Sequence, residues 1–259
     1  MAHASNSVET VLGKINANQL GRTLTHEHLS LNFATFYVQP PDHLKQFFDG
    51  KIELRNVGML KQYPYSNPYN LIYNDQCTED AVLEDVRLYK VFGGGTIVEN
   101  SNYGLQRNIP FMRKVSQVTG INVIAGTAFE KRAIQATGEV QQQLKCPVSF
   151  HPGRNAAAPS EIMRIYQEAG GDAKKAILSH LDRTIPSPED LLQFADDAKC
   201  YCQFDLFGCE CSFYQLNPSV DMISDAQRID RVKYFRNDQK LDRVLLSHDI
   251  HTKHRLVRT

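Results

Sequence analysis

Leu24-Thr25-His26-Glu27-His28-Leu29 is the stretch on which the fold turns. Two histidines flank one residue inside a short apolar run. In an extended strand side chains alternate faces, so His26 and His28 project to the same side and can hold one metal ion without a bend in the backbone. A bare His-x-His is short and common, and alone it reads as an exposed polar pair. Its context gives it weight. Three further strand-like runs each close on a potential ligand: Val148–His151, Ala176–His180 and Val244–Asp249.

Outward from this stretch, helix and strand patterns alternate. Strands are expected at 23–29, 96–99, 121–125, 146–150, 175–180, 201–207 and 243–250. Helices are expected over Cys77–Phe92 with Thr78 as cap, Ile109–Thr119 closed by Gly120, and Phe129–Leu144. Further helices are expected over Ser160–Ala169 and Ser187–Ala198, each capped by its serine, and over most of Ser219–Lys233. Such alternation argues for a parallel sheet with crossover helices. The rhythm breaks once, after Gly126. Ser5–Arg22 reads as a small β-ribbon or cap. Asn32–Tyr73 is long, aromatic and proline-bearing, the composition of a lid or functional loop, or of a segment that packs over one end.

The chain has 259 residues, 42% of them hydrophobic, and a formal net charge of zero. This length suits one barrel domain over 1–259. The neutral balance and the absence of a basic block give no support for nucleic-acid or membrane-surface binding. No apolar run approaches the roughly 20 residues of a membrane helix, and Met1–Thr10 lacks the apolar core of a signal peptide. Six cysteines then read as reduced thiols in the cytosol. The expected partner is a small-molecule substrate, and a homodimer stays open.

In a parallel barrel the C-terminal ends of the strands open on one face, where active sites form. Four strands would therefore deliver His26, His28, His151, His180 and Asp249 to one mouth. Nitrogen and carboxylate ligands of this kind suit zinc and related divalent ions.

The sequence resembles the phosphotriesterase-related branch of the phosphotriesterase family, within the metal-dependent amidohydrolase superfamily. The resemblance is carried by Gly21–Leu29, Gly93–Asn100, His151-Pro152-Gly153-Arg154-Asn155, Ser179–Thr184, Asp205-Leu206-Phe207-Gly208 and Ser247–His254. It implies an α/β fold, the (β/α)8 TIM-type barrel, and two divalent metal ions, with zinc the leading identity. His26, His28 and Asp249 would hold the more buried ion, and His151 and His180 the other, with a carboxylate and a hydroxide between them. Asp249 would also accept or shuttle a proton. The implied activity is hydrolysis of a small N-acyl amide, N-acetyltaurine-like, or of an ester or phosphoester.

The chain departs from that pattern in two places. The fourth strand, which carries the bridging carboxylate, is missing, with a junction near Ala128/Phe129, and the final helix is absent beyond Leu256. No bridging carboxylate is identified. Glu99 ends a strand, and Glu130 belongs by resemblance to a helix, so neither is assigned the part. The alternative to an enzyme is a non-catalytic truncated isoform or gene-model fragment with a weak mononuclear metal site.

Other residues carry weaker signals. Arg154, beside a ligand, is a candidate for an anionic group of the substrate or a structural salt bridge. Asp205 reads as a core carboxylate with an open role. Cys200-x-Cys202 and Cys209-x-Cys211 have the residue types of a thiolate zinc site, but the resemblance places no metal there. His251 and His254 read as neighbours of the ligands, and His3 and His43 as surface residues.

Overall fold

The computed structural model describes residues 6–126 and 131–258. They form two compact units, residues 1–126 with 249–259, and residues 127–248. The expected junction near Ala128/Phe129, Glu130 and His3 lie outside the described residues.

The first unit is built on a three-stranded parallel sheet of Arg22–Glu27, Gly94–Glu99 and Asn122–Ala125, with Gly94–Glu99 in the middle. Leu24 lies opposite Ile97, which lies opposite Val123. Parallel neighbours need a crossover, and the helices Gln76–Val91 and Ile109–Thr119 supply it. Their apolar faces bury Val82, Val86, Phe111, Met112 and Val115 against the sheet residues Ile97 and Val123. The cap of the first helix is Asp75, whose carboxylate accepts the Thr78 N–H at 2.8 Å, in place of the expected Thr78. Thr78 instead donates its hydroxyl to the same carboxylate. Gly120 ends the second helix with φ 68°, a conformation that costs a residue without Cβ nothing. At Gly95 a Cβ would lie 2.3 Å from the Leu20 carbonyl oxygen, which also accepts the Thr96 hydroxyl at 2.6 Å. The glycine run thus ends the helix and begins the strand.

Ser7–Thr10 and Gly13–Asn16 form the expected ribbon, an antiparallel hairpin. The long aromatic segment is pinched at its base, where Leu31–Asn32 pairs with Ile72–Tyr73. Between them lie the short helices Val57–Gln62 and Pro68–Leu71. Buried amides tie the segment down. Asn67 donates to the Phe48 and Gly50 carbonyls, Asn70 donates to the Pro64 carbonyl, and the Asn67 oxygen accepts the Asn70 N–H. Side-chain amides here satisfy backbone groups that a sheet ladder would otherwise hold.

The second unit is a four-stranded parallel sheet in chain order: Val148–Phe150, Ala176–Leu178, Tyr201–Phe204 and Val244–Leu246. Its helices are Lys131–Leu144, Ala158–Glu168, Pro188–Ala198 and Asp225–Asn237. Phe150 meets Tyr166 edge-on at 5.1 Å, and Phe204 meets Phe235 at 5.6 Å, so sheet and helices interlock through aromatic pairs. Two expected helix starts move. Ser160 is no cap, because Pro159 already sits in the first turn of a helix that begins at Ala158. The Ser219–Lys233 helix begins only at Asp225, where Ser224 and Gln227 close a capping box.

Beneath this sheet lies a buried ion pair. The Arg228 guanidinium, with no exposed surface, donates from Nε to Asp182 Oδ2 at 2.7 Å, from Nη1 to Asp225 and from Nη2 to the Cys209 carbonyl. Arg231 adds a bond to the Asp182 carbonyl at 2.6 Å. These bonds hold the short helix Leu181–Thr184, which directly follows His180.

All seven expected parallel strands are present, and no eighth is found among the described residues. After Leu246 the described chain holds a single 3-10 turn, Lys253–Arg255, and no α-helix.

Candidate metal centre

His26 lies in the strand Arg22–Glu27 and His28 one residue past its end. Asp249 follows the strand Val244–Leu246 and returns to the first unit, where its N–H donates to the His26 carbonyl at 3.2 Å. The next residue, Ile250, donates its N–H to Glu27 Oε2 at 3.0 Å. Glu27, between the two histidines, therefore pins the turn that presents Asp249. The turn is tight, and Asp249 takes φ 52°, the left-handed region that aspartate tolerates better than most residues. As a result both imidazoles converge on one carboxylate oxygen. His28 Nε2 lies 3.1 Å from Asp249 Oδ1, and His26 Nε2 lies 3.7 Å from it.

All three side chains are buried. An imidazole lone pair and a carboxylate oxygen repel unless a cation sits between them, either a proton or a metal ion. The electrostatics ask for one. Burial pulls the His28 imidazole down, but its hydrogen bond to Asp249 and the charges of Asp249, Glu99 and Glu27 outweigh it, and the net shift is upward. Two buried nitrogens and one carboxylate oxygen, with ligand atoms all within 4.8 Å of one another, fit a divalent ion of the zinc type.

The other ring nitrogen of His28 has its own partner. Nδ1 lies 2.8 Å from the Ser101 hydroxyl, which donates to Glu99 Oε1 at 2.5 Å. Glu99 ends the central strand and has no exposed surface. Its oxygens also accept the Leu29 N–H at 3.3 Å and the Ser101 N–H at 3.1 Å. Burial pushes its carboxyl up, against the His28 charge and these hydrogen bonds. Glu99 is thus engaged with the backbone and Ser101, the geometry of a support and not of a bridging ligand. Ser101 is absent from the sequence reading; the only signal there was its place two residues past a strand end.

His251 touches Asp249 twice. Its Nδ1 donates to the Asp249 carbonyl at 2.6 Å and lies 3.4 Å from Oδ2, while its ring stacks on Tyr65 at 6.0 Å. His254 turns away, with its N–H and Nδ1 on Asn70 Oδ1. His248 and His43 are exposed.

The second unit brings the other two predicted ligands together. The His151 and His180 rings lie 4.3 Å apart, edge-on. His180 takes φ 56° two residues after its strand, the same strained device as at Asp249. Asp205 fills the role that the sequence left open. Its Oδ1 accepts the His180 N–H at 3.0 Å and Nδ1 at 2.7 Å, and Gln203 donates to its other oxygen. This fixes the ring through Nδ1, a carboxylate–histidine pairing common behind metal sites. Arg154 donates from Nε and Nη2 to the Tyr214 hydroxyl at 3.3 and 3.2 Å. None of the cysteines joins a metal-type cluster among the described residues.

The profile of the Phosphotriesterase family matches this chain in two pieces, residues 6–133 and 127–259, which meet where the rhythm of strands breaks. The phosphotriesterase-related protein of Aedes aegypti is 45% identical over 309 residues, covering 96% of this chain and 86% of its own. That matched span is longer than the whole of this 259-residue chain, so the relative carries an internal segment absent here. Among solved structures, a resiniferatoxin-binding protein from Rhodobacter sphaeroides superposes with a TM-score of 0.90 at 21% identity, over 98% of this chain and 84% of the other. An organophosphorus hydrolase from Deinococcus radiodurans gives 0.68 at 18% identity, over 96% and 80%. At such identities the likeness shows the fold, the TIM-type barrel class.

Proposed function

The chain belongs to the phosphotriesterase family, and from that premise we propose that it is a divalent-metal-dependent hydrolase of small amides, esters or phosphoesters. The observation that carries this reading is the convergence of His26 and His28 on Asp249 Oδ1. These three residues would hold one ion, and His151 with His180 would offer their nitrogens to a second. A bound divalent ion supplies Lewis acidity, lowering the pKa of water and polarising a carbonyl or phosphoryl oxygen.

The chain's own groups do the rest. Asp249 would take a proton at its carboxylate, whose Oδ2 lies 3.4 Å from His251 Nδ1. Asp205 keeps the His180 proton on Nδ1. Arg154, set against Tyr214, offers a guanidinium near His151 in sequence for an anionic substrate group, and an N-acyl amide with a sulfonate or carboxylate tail, N-acetyltaurine-like, suits that charge. No helix among the described residues is long and apolar enough to cross a membrane, in keeping with a small-molecule enzyme.

A second reading is a metal-binding but non-catalytic form. It is favoured by the internal segment that the Aedes aegypti relative has and this chain lacks. Elemental analysis and hydrolysis of N-acyl amides and aryl esters by the purified chain separate the two. The enzyme reading expects bound zinc and turnover, both lost in Asp249→Asn. Metal without turnover supports the second reading, and neither metal nor turnover defeats both.

A further inference from the structure

Three groups form a directed chain behind the metal site: Glu99, Ser101 and His28. Direction follows from what each group can do. The two oxygens of Glu99 face the N–H groups of Leu29 and Ser101, and a backbone N–H can only donate. Each Glu99 oxygen therefore accepts one backbone N–H. The Ser101 hydroxyl, 2.5 Å from Oε1, completes that set by donating its single hydrogen. Its lone pairs then face His28 Nδ1 at 2.8 Å, so this nitrogen must carry a hydrogen and donate it. A ring with its hydrogen on Nδ1 presents Nε2 toward Asp249 Oδ1.

We infer that Glu99 and Ser101 are positioning residues that hold the His28 imidazole hydrogen on Nδ1 and so commit Nε2 to the metal ion. The inference rests on the reading of His28 as a ligand and extends it to two residues that touch neither substrate nor metal. The arrangement differs from that at His180, where Asp205 reaches the ring directly. At His28 the carboxylate is too far for a hydrogen bond, 4.0 Å from Nδ1, and the serine hydroxyl spans the gap. A purely structural role for Glu99 would need only the two backbone N–H groups. The hydroxyl placed between carboxylate and imidazole is the part that such a role leaves unexplained.

The experiment uses the full chain labelled with 15N-histidine, with His28 assigned through His28→Gln. Two quantities are read: exchange of the His28 Nδ1 hydrogen with water in the metal-free chain, and the zinc dissociation constant by chelator competition. Wild type and Ser101→Thr, which keeps a hydroxyl, are expected to show a slowly exchanging Nδ1 hydrogen and to bind zinc alike. Ser101→Ala is expected to lose that protection and to bind zinc about 10–100-fold more weakly, the usual cost of removing such a support. If Ser101→Ala does not fold, Ser101→Cys carries the test, since a thiol is a poor relay. A variant without the hydroxyl that keeps both the protected hydrogen and wild-type zinc affinity overturns the inference. A wild type that binds no zinc defeats the metal reading, while the exchange rates still judge the relay separately.

Discussion

Arg228→Met removes the cation from the ion pair beneath His180 and keeps an apolar stem of similar length. The loss is not shared evenly among its partners. Asp225 is partly exposed, with 39% of its side chain accessible, and regains water. The Cys209 carbonyl loses a donor. Asp182 bears most of the cost, because its carboxylate is fully buried, keeps only the Leu206 N–H on Oδ2, and has no hydrogen-bond partner on Oδ1 among the described residues. Stranding one member of a buried pair costs about 3–5 kcal/mol. At about 2–4 °C per kcal/mol for a domain of this size, the melting temperature should fall by roughly 6–20 °C. The double variant Arg228→Met with Asp182→Leu removes the stranded charge and should recover most of that loss. Arg228→Lys should lie between, since an ammonium cannot serve three acceptors in one plane. Thermal melts followed by far-UV circular dichroism read all three. A single variant within 2 °C of wild type, or a double variant no better than the single, would refute the assignment of Asp182 as the burdened partner.

Two further outcomes follow from positions outside the candidate ligand set. His254 is held neutral at about 3, chiefly by burial and then by Arg255, His251 and Lys61, against an ordinary 6.5. Its folded pKa lies below its unfolded one, so the unfolded chain binds the extra proton. Stability is therefore untouched above pH 6.5 and falls below it, with a slope of up to about 1.4 kcal/mol per pH unit from this group; urea unfolding between pH 7 and 5 should show a flatter dependence in His254→Gln. Gly95→Ala forces a Cβ against the Leu20 carbonyl oxygen, which Thr96 also grips, and should cost about 1–3 kcal/mol in the same assay. Gly58→Ala, with nothing within 4 Å of the new Cβ, is its neutral control.

The parallel strands were legible because most are short apolar runs with β-branched residues beside a turn signal, a composition that burial on both faces favours. Thr-Ile-Val-Glu at 96–99 and Val-Leu-Leu at 244–246 are examples. The candidate ligands were legible for a related reason, since His26 stands within such a run and His28, His151, His180 and Asp249 one to three residues past one. Helix starts were harder to read. Thr78 and Ser160 are good capping types, yet Asp75 and Pro159 lie nearer the true first turn, and local propensity cannot choose between adjacent candidates. The supports of the histidines were out of reach. Asp205 meets His180 across 25 positions and Ser101 meets His28 across 73, contacts fixed by strand register that no local pattern records.

The turn at Asp249 has a consequence for how the protein is made. Its closing bond, from Ile250 to Glu27, spans 223 positions. During synthesis His26 and His28 leave the ribosome well before Asp249, so the carboxylate of the candidate site is still missing. The second unit, residues 127–248, emerges entire before Asp249 does. The two histidines therefore wait for their carboxylate partner while the whole second unit is made. Occupation of the candidate site by an ion should therefore follow synthesis of the second unit and not the folding of the first strands.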